Sequence, residues 1–213
     1  MRLSDYIFTR LAEYGVRQVF MISGGGAMFL NDALGCESRI QYICHHHEQA
    51  CAIAAEGYAR TTGKLSVVSV TTGPGGTNTL TGVIGQWLDS IPVLYISGQV
   101  KFSTTIASCP ELPLRQLGDQ EINIIDIVRP VTKYAAMITR PQDIRHEIEK
   151  AIHIATTGRK GPVWLDIPIN VQSTEIDEAL LEGFVPTPIV APEKQIDKDT
   201  CDIVELLCNA ASP

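Results

Sequence analysis

Glu48 is the first side chain in this sequence whose type and setting suggest chemistry. It follows His45-His46-His47 and precedes Gln49, and from Ala50 to Ala55 the chain is almost wholly small and apolar. A helix of that composition packs closely on most sides, and Glu48 falls in its first turn, where the helix dipole favours negative charge. Two roles are open to it on composition. One is a helix-start carboxylate with a modest electrostatic effect. The other is a carboxyl at the edge of a dry interface, where burial disfavours the charged form and suits the group to proton transfer. The three histidines do not add a metal site, because adjacent side chains of an extended segment point in alternate directions and no partner cluster accompanies them. The six cysteines, at positions 36, 44, 51, 109, 201 and 208, form no C-x-x-C pair and match no zinc spacing. They are expected to be buried thiols of a chain in a reducing, cytoplasmic compartment.

Two glycine clusters form the second group of candidates: Ser23-Gly24-Gly25-Gly26-Ala27 and Thr72-Gly73-Pro74-Gly75-Gly76-Thr77-Asn78. Glycine after a strand lets backbone approach a ligand, or simply turns the chain. Neither cluster satisfies G-x-G-x-x-G, since Asn78 occupies the third glycine's place in the second. A P-loop fails as well, because the run from Gly57 to Gly63-Lys64 has one residue too many and Leu65 stands where Ser or Thr belongs. Asn78 itself is expected to cap the helix that follows.

The elements that must position these residues follow from the apolar pattern. Val19 to Ile22, Ile40 to Cys44, Leu65 to Val70, Val93 to Ile96 and Val163 to Ile167 read as strands, several of them apolar on both faces. Leu3, Ile7, Leu11 and Tyr14 repeat at helical spacing. So do Ile144, Ile148, Ala151, Ile152 and Ala155, with Pro141 near the start and Gly158 past the end. This alternation predicts an α/β, doubly wound, mainly parallel sheet with helices on both faces. The 213 residues, 45% hydrophobic and 19% charged, suffice for one such domain and a remainder. A net charge of −7 argues against a nucleic-acid binder. No apolar run reaches the roughly 18 residues of a membrane span. After Gln172 the chain becomes acidic, and Phe184 to Pro192 holds three prolines in nine residues. We therefore divide the chain into a body over 1–172, a linker over 173–196 and, from 197 to 213, the start of a further, truncated domain with a helix over Asp202 to Cys208.

Taken together these stretches resemble the N-terminal, pyrimidine-binding domain of thiamine diphosphate enzymes, specifically the acetolactate synthase-like group. The resemblance runs from about Leu3 to Gln172. It rests on Gly15-Val16, Gly24-Gly25-Gly26-Ala27, His47-Glu48-Gln49, Glu56-Gly57-Tyr58-Ala59-Arg60 and Gly73-Pro74-Gly75 with Thr77-Asn78. It continues through Leu88-Asp89-Ser90-Ile91-Pro92-Val93, Ser97-Gly98-Gln99-Val100, Gln120-Glu121, Arg129-Pro130-Val131-Thr132-Lys133 and Gly161-Pro162-Val163.

The resemblance implies a function. In that family the glutamate matching Glu48 hydrogen-bonds N1′ of the cofactor's aminopyrimidine, where a protonated carboxyl favours the 4′-imino tautomer that takes a proton from the thiazolium ring. Gly24, Gly25 and Gly26, with Gly73, Pro74 and Gly75, are then expected to line the cofactor, and Gln120 matches a glutamine near the reaction centre. The family holds diphosphate and Mg2+ on a separate C-terminal domain through a Gly-Asp-Gly motif, which does not occur here. No metal ligand is therefore assigned to this chain, and any FAD belongs to the full-length protein. The implied whole is a homodimeric or homotetrameric enzyme that decarboxylates a 2-keto acid and joins the product to a second carbonyl. A separate pyrimidine-binding subunit of a two-chain decarboxylase and a non-catalytic assembly module are the alternatives. Two positions depart from the family pattern: Gly24 stands where proline is usual, and Asp119 where a phenylalanine precedes the glutamine.

Overall fold

The computed structural model describes residues 1–187 and 193–212, with the side chains of 193–196 left aside. Six strands form one sheet: β1 (Gln18–Met21), β2 (Gln41–Cys44), β3 (Ser66–Val70), β4 (Val93–Gln99), β5 (Tyr134–Met137) and β6 (Val163–Pro168). The order is β2-β1-β3-β4-β6-β5, and every pairing is parallel. Helices join the strands: α1 (Leu3–Glu13), α2 (Met28–Cys36), α3 (Glu48–Thr62), the short α4 (Pro74–Thr77), α5 (Leu80–Asp89), α6 (Ile124–Val128), α7 (Ile144–Thr156) and α8 (Ile169–Gln172). A last helix, α9 (Glu193–Asn209), covers the pattern expected over Asp202 to Cys208, and its described side chains are all exposed.

The doubly wound parallel sheet is thus the observed architecture. β3, β4 and β6 are buried along their whole length, as their two-sided apolar runs require. One face is covered by α1, α2, α7 and α8, the other by α3, α5 and α6. The helical repeats seen in sequence are the buried stripes of α1 and α7, although Tyr14 stands at the end of α1 and is exposed. Strand β5 has no counterpart among the expected strands. Its Tyr134-Ala135-Ala136-Met137 run carries two alanines, which favour strands poorly, and it survives as a half-buried edge paired to β6.

The cysteines correct an expectation. Only Cys51 is buried, while Cys36, Cys44, Cys201 and Cys208 are exposed. Cys44 ends the edge strand β2, and Cys201 and Cys208 lie on α9, so none of these three has a layer above it.

The acidic segment beyond Gln172 runs back along the body. Leu3 N–H donates to Thr174 O at 2.8 Å and Ile176 N–H to Met1 O at 2.9 Å, around an antiparallel bridge between Arg2 and Glu175. Ile176 and Leu181 join the core beside α1 and α7. Residues 188–192 of the expected linker, and Pro213, lie outside the described residues.

The α3/α5 face of the sheet carries a buried polar chain. Tyr95 stacks on Trp164 at 4.8 Å. Trp164 Nε1 donates to Ser97 Oγ at 2.8 Å, and Ser97 Oγ donates to Asp166 Oδ1 at 2.5 Å. Gln99 Nε2 donates to Asp166 Oδ2 at 3.0 Å and to Ile122 O at 3.2 Å. Asp166 is fully buried, and this burial pushes its carboxyl up to about 6 against the opposing hydrogen bonds from Ser97 and Gln99. The sign of the linkage follows. Between about pH 4 and about pH 6 the folded chain keeps a proton that the unfolded chain has released, so stability falls as pH rises through that window. The full effect is about 3 kcal/mol. Urea unfolding of wild type and Asp166→Asn at pH about 4 and about 7 measures it. The difference in unfolding free energy between the two proteins should move against the wild type at the higher pH, and an unchanged difference refutes the assignment.

Candidate functional site

Strands β1 and β3 are neighbours, but the chain leaves β1 toward β2 on one side and β3 toward β4 on the other. This is the point in a doubly wound sheet where the loops at the carboxyl ends part and leave a crevice. Both glycine clusters open there. Gly25–Ala27 forms a single 3-10 turn, closed by Ala27 N–H donating to Gly24 O at 3.0 Å. Side chains of the β3 loop fill the room where Cβ atoms on the first cluster would stand: Thr71 against Gly24 and Thr72 against Gly26. Thr72 Oγ1 donates to Gly98 O at 3.0 Å, and Gln172 Nε2 donates to Gly26 O at 2.7 Å. The two loops therefore interlock through backbone and the short side chains of Thr71 and Thr72.

Gly73 occupies the left-handed region at φ +61°, and a Cβ there would collide with the carbonyl oxygen of Gln120. Pro74 then opens α4, where its missing N–H is no loss, and Gly75 follows inside the turn.

Glu48 is the first residue of α3, preceded by His47 as N-cap, whose Nδ1 accepts from Gln49 N–H at 3.1 Å. Its side chain is half-buried. Oε2 accepts from Asn78 Nδ2 at 2.9 Å, while Oε1 lies 3.6 Å from the place a Cβ on Gly75 would take. Thr71 touches the same Gly75 position at 2.8 Å and the Gly24 position as well. The structure thus brings Glu48, Gly73, Pro74 and Gly75 together with the Gly24–Gly26 loop, and sets Gln120 against the turn at Gly73.

Asn78 corrects the expected capping role. Thr79, not Asn78, precedes α5, and the Asn78 amide is spent on Glu48. Nothing in local spacing shows this, because the contact joins residues 30 positions apart. Thr71 and Gln172 give no local signal either, being ordinary polar residues in sequence. An open cavity of about 470 Å³ continues from Gly25 and Gly26 to Val100, Leu117, Asp119 and Ile169. Chemically, a carboxyl with one oxygen engaged by Asn78 and the other turned to Gly75 can share a proton with a ring nitrogen of a flat heterocycle. Glycine at 24, 26, 73 and 75 lets the two loops close up beside this carboxyl, since a Cβ at any of them would strike Thr71, Thr72 or the Gln120 carbonyl.

Comparison with known proteins identifies the family. The family described as "Thiamine pyrophosphate enzyme, N-terminal TPP binding domain" matches residues 1–126. The chain is 40% identical over 165 residues to the acetolactate synthase large subunit of Haemophilus influenzae, covering 78% of this chain and 27% of that protein. It is 38% identical over 175 residues to the large subunit from Lactococcus lactis, covering 82% and 29%. It is 37% identical over 218 aligned positions to the chloroplastic acetolactate synthase of Arabidopsis thaliana, covering 99% and 30%. It therefore spans under a third of the length of these relatives. With a matching family profile over more than half its length, the sheet that profile calls for and a glutamate facing a glycine cradle, the chain belongs to the thiamine pyrophosphate enzymes, as their N-terminal TPP-binding domain.

Proposed function

We propose that this domain binds and activates the aminopyrimidine of thiamine diphosphate within an acetolactate synthase-like transferase or lyase that acts on 2-keto acids. The observation that carries the reading is the asymmetry of Glu48: Oε2 is held by Asn78 and Oε1 faces Gly75, where the two glycine loops meet. When bound, the cofactor supplies carbanion chemistry that removes CO2 from a 2-keto acid and joins the remainder to a second carbonyl. This chain's residues do the rest. Gly24, Gly25 and Gly26 with Gly73, Pro74 and Gly75 hold the ring by close backbone approach. Oε1 of Glu48 holds the proton exchanged with the ring nitrogen, and Gln120 stands at the Gly73 turn, toward the substrate. Diphosphate and Mg2+ are assigned to parts of the protein outside this chain, as is any FAD. The division into a body over 1–172, a linker over 173–196 and a further domain from 197 belongs to the same proposal.

The test uses the full-length protein. CO2 release from pyruvate and other 2-keto acids should require both thiamine diphosphate and Mg2+. Release that is absent with every 2-keto acid, or indifferent to the cofactor, overturns the reading. Asn78 supplies a graded check. Hydrogen bonds to charged groups contribute about 1.5–3 kcal/mol, so Asn78→Ala should lower kcat roughly 10- to 100-fold, and Asn78→Asp, which sets a second carboxylate against Glu48, should lower it further. Wild-type kcat in both variants rules out a role for this contact.

Association is part of the proposal. On the outer face of α3 and α5, Ile53, Ile84, Trp87 and Leu88 are exposed, Ile53 at 53% and Leu88 at 64%. The face begins at the same helix end as Glu48, and a second copy of the chain would dry both. Sedimentation should find a dimer or tetramer at micromolar concentration, with Leu88→Asp shifting it toward monomer; a wild-type monomer refutes the pairing. No helix among the described residues is long and apolar enough to cross a membrane. A cytoplasmic location, testable by cell fractionation, completes the reading.

A further inference from the structure

Between β4 and α6 the chain runs from Val100 to Asn123 without a strand, yet it is tied down at one point. Glu121 is buried, at 8% exposure, and no Lys or Arg pairs with it among the described residues. Its carboxylate instead accepts three backbone N–H groups. Oε1 accepts from Ile106 at 2.6 Å, and Oε2 accepts from Leu117 at 2.9 Å and from Gly118 at 3.1 Å. Bonds from amides to a carboxylate are shorter and stronger than neutral ones, and a buried acceptor left unmade is costly. One side chain thus staples the two arms of the loop. The arms also touch directly, since a Cβ on Gly118 would lie 2.6 Å from Thr104 O and 2.8 Å from Val100 Cγ2.

Gln120 sits between these fixed points. Its φ of +56° puts it in the left-handed region, which non-glycine residues adopt only where the surroundings over-determine it. Glu121 N–H donates to Gly118 O at 3.3 Å, closing the turn around Gln120. The carbonyl of Gln120 rests against Gly73, and Leu117, Gly118 and Asp119 line the cavity that continues from Gly25 and Gly26.

We propose that Glu121 is the positioning residue of this site: through three backbone amides it holds Gln120 on the Gly73 turn and sets the Leu117–Asp119 wall that faces the glycine loop. Its consequence for catalysis rests on the thiamine diphosphate reading above; the staple itself does not. Glu121 touches neither substrate nor cofactor in this account and acts through Gln120 and the wall.

Two measurements on the full-length protein test it. The first is amide hydrogen exchange. Glu121→Gln should speed exchange at residues 104–120 by about 10-fold or more, while β3, β4 and β6 keep their protection. The second is a kinetic cycle with Gln120→Ala. Glu121→Gln should lower kcat/KM for the 2-keto acid roughly 30-fold, with the Kd for thiamine diphosphate held within about threefold, and the double variant should lose little more than the worse single one. Glu121→Asp, which keeps the charge on a shorter arm, should recover part of both effects and serves if the glutamine variant fails to fold. Unchanged exchange over 104–120 overturns the staple. Fully additive kinetic losses, or a loss confined to cofactor Kd, overturn the positioning role. If the wild type shows no cofactor-dependent turnover, the functional reading fails while exchange still decides the staple.

Discussion

Replacing Glu48 by glutamine is expected to lower thiamine diphosphate-dependent turnover of the full-length protein by about 1,000-fold, within the span usual for loss of a proton-transfer group. Glutamine keeps the length and planarity of the side chain, and its oxygen can still accept from Asn78 Nδ2, so the fold should be undisturbed. What it lacks is a proton to give and take at the atom facing Gly75. The unfolding free energy should therefore change by less than about 1 kcal/mol while kcat collapses. Glu48→Asp is a useful companion, because it keeps the carboxyl but draws it back from Gly75 by one methylene. Steady-state kinetics and urea unfolding on the same samples separate the two effects. Turnover by Glu48→Gln at the wild-type rate would falsify the assigned role.

The largest effect on stability is expected at Trp164. This side chain is fully buried on β6, stacks on Tyr95 and donates to Ser97, and its ring edge lies 3.4 Å from where a Cβ on Gly76 would stand. It therefore supports the second glycine turn from below as well as filling the core. Trp164→Ala should destabilise the chain by about 3–5 kcal/mol, from lost burial and the cavity left behind. Trp164→Phe retains much of the stack but leaves Ser97 Oγ without its buried donor, and should cost about 1–3 kcal/mol. Urea unfolding measures both. Equal losses would mean that the ring phenylalanine retains contributes nothing, a negligible loss for phenylalanine would mean that the indole N–H contributes nothing, and a loss below about 1 kcal/mol for alanine would refute the load placed on this residue.

The fold was legible where burial imposes a period or a continuous apolar run. β3, β4 and β6 lie between two helical layers, and their sequences show it; α7 has one deep stripe from Ile144 to Ala155. Edge strand β5 was not legible, because a half-buried Tyr-Ala-Ala-Met run owes its conformation to β6 rather than to its own preferences. The candidate site divides in the same way. Glycine loops after strands, and a carboxyl ahead of a small-residue helix, are local signals. The partners that give them geometry are not. Thr71 against Gly24, Asn78 on Glu48 and Gln172 on Gly26 all join distant parts of the chain through unexceptional side chains. Glu121 was visible only as the neighbour of Gln120, since nothing in spacing marks a carboxylate whose partners are backbone amides.

The lacing of residues 1–3 to residues 174–176 couples two segments far apart in sequence. Ile176 and Leu181, which lie at and beyond the seam, are buried beside α1 and α7, so the stretch after α8 belongs to the same packed unit. Loosening one strand of the seam should therefore free the other and uncover the helical face that both help to close.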